Sequence, residues 1–136
     1  MTDHQRFGLT LWATDVFALA DFLVAVTGAA LHERHPGFAS LLVGGMPLSI
    51  HDDESYRGHP WFNALAREGV ARGIGAELRF QVEDTMKSYR EALNRGGQVI
   101  AAPFEFEGTL ECHVMAPDGY VLALWQVWES STTARS

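Results

Sequence analysis

The sequence predicts an α+β domain built from two consecutive copies of a βαβββ unit. A strand–Asp–helix–Gly pattern occurs twice, and the two copies keep nearly the same internal spacing. The equivalent pairs lie 69, 69 and 74 residues apart: Asp15 and Asp84, Gly28 and Gly97, Gly45 and Gly119. Because 136 residues make one domain of ordinary size, the two copies are expected to share one core.

The first copy begins with alternating apolar and polar residues over 7–14, which predicts a half-buried strand. Asp15 is expected to cap a helix that ends at Gly28. This helix is apolar on nearly every side, so we expect it to pack against the sheet and partly against a second subunit. Turn sequences then separate three apolar runs that predict strands, at about 30–35, 38–43 and 47–51.

The second copy repeats this order. Alternation over 77–83 predicts a strand, Asp84 is the expected cap of the next helix, and Gly96-Gly97 is its expected end. Three strands are again predicted, at about 98–106, 110–115 and 120–128. The second copy therefore spans about residues 76–128, and the first about 7–51.

A connector over residues 52–75 joins the two copies within the single domain 1–136. It starts with the acidic run 52–54, which is typical of a solvated loop, and contains a short helical stretch near 61–68. Three glycines in 69–75 indicate a flexible segment.

Neither copy is long enough to bury its own sheet. We therefore expect the two sheets to form one curved mixed sheet, an incomplete barrel around a shared cavity, with the helices outside. Any function is expected in that cavity.

Composition excludes several classes of protein. Ten Lys+Arg against 17 Asp+Glu give a net charge of −7, which argues against nucleic-acid binding because phosphates require a basic face. The longest apolar run, 16–26, is far shorter than the ~20 residues of a membrane span. The single cysteine, Cys112, excludes an internal disulfide and is expected to be buried. A cytoplasmic location is the resulting expectation.

The two openings 7–28 and 78–97, together with the segment 116–122 (APDGYVL), resemble the vicinal oxygen chelate superfamily. That superfamily contains glyoxalase I, bleomycin-resistance proteins, extradiol dioxygenases and fosfomycin-resistance enzymes. The resemblance covers about residues 7–128 and is closest in character to the metal-free bleomycin-resistance branch. It implies a small-molecule ligand and a homodimer.

The metal-dependent members of the superfamily carry ligands at three strand positions, and glyoxalase I adds a fourth on another strand. By the resemblance these correspond to Gly8, Ser49, Glu77 and Ala123. Gly8 and Ala123 have no side chain that can bind a divalent ion, so Glu77 and, weakly, Ser49 remain. One carboxylate does not hold a catalytic metal, so metal-dependent chemistry is disfavoured and we expect no metal and no cofactor.

The alternation of the strands predicts which side chains line the concave face. They are Thr10, Trp12, Ser49, His51, Glu77, Arg79, Gln81, Val121, Ala123 and Trp125. Ligand pockets combine aromatic side chains with a few placed polar groups, and here Trp12 and Trp125 could stack on a planar ligand while Glu77 orients a cationic group. The sequence thus predicts a metal-independent protein that binds an aromatic or cationic small molecule.

Two other hypotheses stay open. The chain is an enzyme of the same superfamily if His51, His113 and Glu77 converge on a metal, or if Glu77 acts as the base of a metal-free isomerase. For Glu77, an ion pair with Arg79 is the alternative interpretation. The chain is a subunit or regulatory domain if its cavity is filled and its outer face is apolar.

Overall fold

The computed structural model describes residues 7–69 and 71–129 and contains the βαβββ unit twice. The first unit consists of β1 (Leu9–Ala13), α1 (Val16–Thr27), β2 (Ala30–His35), β3 (Phe38–Val43) and β4 (Met46–Asp52). The connector contains a 3-10 turn (Asp53–Tyr56) and the short helix α2 (Phe62–Ala66). The second unit consists of β5 (Leu78–Gln81), α3 (Thr85–Asn94), β6 (Gln98–Phe106), β7 (Thr109–Met115) and β8 (Val121–Val127).

Each unit forms its own four-stranded mixed sheet. The strand orders are β1-β4-β3-β2 and β5-β8-β7-β6, so the two sheets have the same topology. In each sheet the first strand pairs in parallel with the last strand, and the other pairs are antiparallel. The sheets are open rather than closed into a barrel, and the predicted fold class is confirmed.

Both predicted helix caps are confirmed. Asp15 Oδ1 accepts a hydrogen bond of 3.0 Å from the Ala18 amide, and Asp84 Oδ1 accepts one of 3.1 Å from the Lys87 amide. Each bond satisfies an amide that the first helical turn leaves unpaired. The two units therefore begin their helices with the same capping hydrogen bond.

The ends of the two helices differ slightly. Gly28 follows α1 directly with φ +80°, a left-handed conformation that glycine adopts without strain. In the second unit the left-handed residue is Gly96 with φ +87°, and not Gly97, the predicted equivalent of Gly28. The glycine of the second unit that is equivalent to Gly28 therefore lies one residue earlier than predicted.

Both helices cover the same face of the sheets and close one core. Strand residues from both units, including Leu11, Ile50, Cys112 and Leu124, are buried together with α1. The helix α1 also contacts α3. The helix α1 thus packs on more than one side within its own chain, and its contact with a second subunit stays a prediction.

The last part of the connector is anchored, which corrects the prediction of a flexible segment. The Gly73 amide donates a 3.0 Å hydrogen bond to the Gly119 carbonyl, and a Cβ at Gly73 would lie 2.4 Å from that oxygen. Arg72 donates two hydrogen bonds to Asp53, of 2.7 and 2.8 Å, so one residue of the predicted solvated acidic run lies in a largely buried ion pair. The glycine at position 73 permits this close approach.

Among the helices of residues 7–69 and 71–129, none has the length and apolar character needed to span a lipid bilayer.

Candidate functional site

The strand residues that alternate with the core residues form a face that carries no helix, which we call the helix-free face. Eight of the predicted ligand-binding residues lie on it as four pairs of neighbours: Thr10 and Ser49, Trp12 and His51, Arg79 and Ala123, Gln81 and Trp125. Of the other two residues predicted on the concave face, Glu77 directly precedes β5 and Val121 begins β8. The set therefore divides into one group on each sheet. No hydrogen bond joins the two groups within the described part of the chain.

The group on the first sheet is dominated by rings. Trp12, His51, Phe38 and Tyr56 form what we call the aromatic row. Neighbouring ring centroids lie 4.6 Å apart for Trp12 and Tyr56, 6.1 Å for Trp12 and His51, and 5.0 Å for His51 and Phe38. The indole Nε1 of Trp12 donates a 2.9 Å hydrogen bond to Ser55 Oγ, which fixes the ring. Such a row offers a planar ligand a stacking surface.

The backbone of Trp12 is also held from the second unit. The Tyr120 hydroxyl donates a 2.8 Å hydrogen bond to the Trp12 carbonyl, and the Trp12 amide donates one of 3.2 Å back to that hydroxyl. Arg72 donates a further 2.8 Å bond to the same carbonyl. The position of the Trp12 ring is thus set by contacts from three parts of the chain before any ligand arrives.

The group on the second sheet is ionic. Glu77, Arg79, Glu111 and His113 form what we call the ion cluster. Arg79 donates two hydrogen bonds of 3.1 Å to the Glu111 carboxylate and one of 3.0 Å to Glu77. His113 Nε2 lies 2.7 Å from Glu111 Oε2, so Glu111 is bonded on both sides.

Burial and charge set the protonation of this cluster. The Glu111 residue is 5% exposed, whereas the side chains of Arg79 and Glu77 are 49% and 38% exposed. Hydrogen bonds from the Arg79 guanidinium lower the pKa of Glu111 despite its burial, and His113 lowers it further. The same bond to Glu111, together with Glu77, raises the pKa of Arg79. Glu111 is therefore held in its ionised form beside the Arg79 guanidinium.

Other predicted residues contribute differently. Ala123 is completely buried, so it has no surface available to a ligand, which corrects its prediction as a contact residue. Glu77 adopts the ion pair that was its alternative interpretation. Trp125 is half-buried opposite Glu111, and Thr10 and Gln81 are exposed.

Glu111 is the important residue that sequence reasoning missed. Its signal was present, because Cys112 was predicted to be buried and the alternation of a strand then places Glu111 and His113 together on the other face. Phe38 was also missed, because it meets His51 through the strand register, which alternation alone does not reveal. Tyr56 belongs to the connector, where no periodicity marks it.

The positions expected from metal-dependent relatives do not fit a metal. Gly8 and Ala123 supply no donor, and a Cβ at Gly8 would already lie 3.2 Å from the Pro47 ring. Glu77 is engaged by Arg79. The residues described here include no group of three or more His, Cys, Asp or Glu that could hold an ion.

The alternative ligand set is also not assembled. His51 lies in the aromatic row of the first sheet, whereas His113 and Glu77 lie on the second, with His113 Nε2 3.9 Å from Glu77 Oε2. The three predicted residues therefore do not form a metal site.

A cleft of about 970 Å³ lies where the two units meet, beside the end of α1 and the end of β5. Arg79 and Gln81 line this cleft, and the other predicted ligand-binding residues do not. These two residues can therefore be approached from the seam as well as from the helix-free face.

Solved structures with this architecture include several proteins of the glyoxalase/bleomycin resistance/dioxygenase group. A glyoxalase/bleomycin resistance protein/dioxygenase family enzyme from Burkholderia phytofirmans matches with a TM-score of 0.69 and 23% identity, over 89% of this chain and 97% of that one. A glyoxalase-related enzyme from Fulvimarina pelagi matches with a TM-score of 0.68 and 19% identity, over 90% and 88% of the two chains. A glyoxalase/bleomycin resistance protein/dioxygenase from Nocardioides gives 0.63 and 20%, over 96% and 88%.

These matches show that the chain has the glyoxalase/bleomycin resistance/dioxygenase fold, and the resemblance to the vicinal oxygen chelate superfamily is confirmed at the level of the fold. No protein-family model matches the sequence, and neither does any curated protein.

Proposed function

We propose that the protein binds an aromatic or cationic small molecule on the helix-free face without a metal. The observation that carries the proposal is the pairing of two features on one face, the aromatic row on the first sheet and the ion cluster on the second. Rings supply contact area and a favourable surface for cations, and a few fixed polar groups supply orientation.

Charge supports the cationic character of the ligand. The ion cluster sets two carboxylate side chains against one guanidinium, and the whole chain carries a net charge of −7. The negative potential attracts cations to the face and raises their local concentration.

The test uses protein dialysed against a chelator. Its metal content is measured by atomic emission, and its melting temperature is followed with a panel of aromatic cations and their neutral counterparts. Trp12→Ala removes the centre of the aromatic row, and Trp61→Ala, at a residue that is 66% exposed in the connector, is the matched control.

We expect stabilisation by aromatic cations without added metal, lost in Trp12→Ala and kept in Trp61→Ala. A stoichiometric metal that is required for any ligand to bind would overturn the proposal. Melting of both variants without ligand separates lost binding from lost folding.

A metal-free isomerase is the second candidate function, and the contact between His113 and Glu111 favours it. A buried carboxylate that orients a histidine is a common arrangement for proton transfer. Glu77, the base expected from the sequence, would act beside its ion pair with Arg79. Glu77→Gln that binds a substrate normally but loses turnover would favour this function, and equal turnover in both proteins would contradict it.

We also propose that the protein is a homodimer. The six residues of β2 are all exposed, and β6 carries Val99 and Ile100 at 48% and 47% exposure, so each sheet ends in an uncovered edge strand. Ile100→Glu should shift the mass measured by light scattering towards the monomer. Ile74→Glu, at a residue that is 76% exposed in the connector, should not. A wild-type monomer at micromolar concentration would contradict the proposal.

A cytoplasmic location completes the proposal. Cys112 is unpaired and buried among the described residues, which suits a reducing compartment. Fractionation of cells that express the protein tests this, and recovery outside the cytoplasm would contradict it.

A further inference from the structure

We propose that the protein has a second binding site, between its two units, for a small neutral apolar molecule. The site is a cavity of about 330 Å³, which we call the seam pocket. It adjoins the cleft of about 970 Å³ and shares Val43, Arg79 and Phe80 with it. Among the described residues, no ring of the aromatic row lines the seam pocket, so this inference does not rest on the proposed function.

Both units build the walls of the seam pocket. The first unit contributes Leu9 at the start of β1, together with Val43 and Leu48 of the hairpin that β3 and β4 form. The second unit contributes Leu78 and Phe80 of β5. A molecule in the pocket would therefore contact both units at once.

The start of β1 approaches the β3–β4 hairpin closely beside this pocket. A Cβ at Gly8 would lie 3.2 Å from Cγ of Pro47, a residue that lines the pocket. Gly8 stands where the sequence resemblance places a metal ligand. In this chain the missing side chain lets the two strands of the first unit pack into one wall.

The seam pocket reaches the core and leaves apolar surface uncovered. Leu48 and Phe80 are only 3% and 5% exposed, so the pocket extends inward to core residues. Leu9, Val43 and Leu78 pack against the core but are only half-buried. An apolar molecule that covers them removes this surface from water, which is favourable.

The charges at the pocket favour a neutral occupant. Among the described residues that line it, the only charged ones are Glu77 and Arg79. They are joined to each other at 3.0 Å, and Arg79 also pairs with Glu111. An ion would have to leave water for apolar walls and would gain a partner only by breaking one of these pairs. A neutral molecule requires neither step.

The volume of the pocket limits the size of the occupant. An apolar cavity of about 150 Å³ holds benzene, so about 330 Å³ has room for up to about two rings. The pocket is too small for two turns of an α-helix, which is about 10 Å in diameter. The volume therefore favours a small molecule over a segment of another protein.

The test follows toluene by NMR in the full-length protein, with carbon-13 labels in the leucine and valine methyl groups. Toluene is compared with benzylammonium and benzoate, which keep the ring and add a positive or a negative charge. Val43→Trp adds volume inside the pocket, and Leu31→Trp, at a residue that is 48% exposed on β2, is the matched control. Melting curves establish whether each variant is folded.

We expect saturable shifts and intermolecular NOEs at the methyl groups of Leu9, Leu48 and Leu78. Toluene should bind there at least about tenfold more tightly than either ion, because an ion loses its hydration without gaining a partner. Val43→Trp should abolish these contacts, and Leu31→Trp should keep them. If Val43→Trp does not fold, the contacts in the wild-type protein decide the inference alone.

Several outcomes would overturn the inference. They are the absence of saturable binding, equal affinity for either ion at these methyl groups, and contacts only at other methyl groups. Methyl shifts that follow protein concentration without any probe would show that a second copy covers the pocket. Loss of the toluene contacts in Trp12→Ala would place the probe on the aromatic row, which would overturn this inference and leave the proposed function standing.

Discussion

Arg79 and Glu111 are joined by two parallel hydrogen bonds of 3.1 Å on the helix-free face. Arg79 is also the register partner of Ala123, one of the four positions at which the sequence resemblance places a metal ligand. The arginine therefore brings a permanent positive charge to the region where metal-dependent relatives hold an ion. Arg79 thus offsets part of the negative charge of the ion cluster.

The first prediction concerns acid stability. Arg79 lowers the pKa of Glu111 in the folded protein relative to the unfolded chain. A depressed pKa stabilises the fold above the unfolded value of about 4.3, and this contribution is lost as the pH falls through the lower, folded value. Wild type should thus lose stability below about pH 4, and Glu111→Gln should lose less over the same range.

Urea unfolding between pH 2.5 and 7 measures this difference. At neutral pH the Glu111→Gln variant should be less stable by about 2 kcal/mol, because its bonds to Arg79 are no longer charge-assisted on both sides. Equal pH dependence in the two proteins would contradict the assignment of Glu111 as the ionised centre of the cluster. Glu83→Gln, at an exposed carboxylate after β5, is the control.

The second prediction concerns the connector. Arg72 is 5% exposed in its side chain, pairs with Asp53 and donates to the carbonyls of Trp12 and Leu65. Arg72→Met should destabilise the protein by about 3 kcal/mol, because it leaves a largely buried carboxylate without its cation. It also removes one donor from each of two carbonyls, of which only that of Trp12 also accepts from Tyr120 among the side-chain bonds described. Denaturant unfolding provides the measurement.

Arg57→Met is the matched control for this change. Arg57 pairs with Glu54 three residues away, but both side chains are more than 60% exposed. Exposed pairs contribute about 0 to 1 kcal/mol, so this variant should unfold almost as wild type does. If both variants cost the same, the burial argument for Arg72 is wrong.

The third prediction concerns the contact between Gly73 and the turn before β8. Gly73→Ala would place a Cβ 2.4 Å from the Gly119 carbonyl oxygen and 2.9 Å from the Tyr120 Cα, which are backbone atoms that cannot yield locally. We expect a fall in melting temperature larger than that of Gly58→Ala. At Gly58 the φ of +92° causes strain of about 1 to 2 kcal/mol, but nothing lies within 4 Å of the added methyl. The opposite order would show that the connector moves easily at residue 73.

The fourth prediction concerns the thiol. Burial raises the pKa of Cys112 to about 11, and the residue is completely inaccessible to solvent. Iodoacetamide at pH 8 should therefore modify the folded protein at the rate of unfolding, and modify the denatured chain rapidly. Mass spectrometry over time measures both rates. Fast labelling of the folded protein would contradict the placement of Cys112 in the core.

Local sequence signals predicted the fold well. The caps at Asp15 and Asp84 and the alternation in each strand are short-range features, so the elements and their repeat could be derived from neighbouring residues. The predicted end at Gly96-Gly97 was right, but the match of Gly28 with Gly97 was off by one residue, because two adjacent glycines satisfy the same pattern and only the backbone shows that Gly96 is left-handed.

The site was less predictable because it depends on partners that are distant in the chain. Alternation placed Thr10 and Arg79 on the correct face, but which side chains meet depends on strand register. The bond from Arg79 to Glu111 spans 32 residues, and that from Tyr120 to Trp12 spans 108. The anchoring of Arg72 could not be predicted for the same reason. A glycine-rich composition indicates a flexible backbone, but it does not identify hydrogen-bond acceptors that are distant in the chain.

The most direct test of the account is an NMR titration with benzamidine, an aromatic cation. The protein is labelled with nitrogen-15 and treated with a chelator. The account predicts that the amide shifts concentrate on the strands of the helix-free face, near Trp12, His51, Arg79, Glu111 and His113, in the absence of any metal. Shifts confined to α1 and α3, or shifts that appear only after a divalent metal is added, would contradict it.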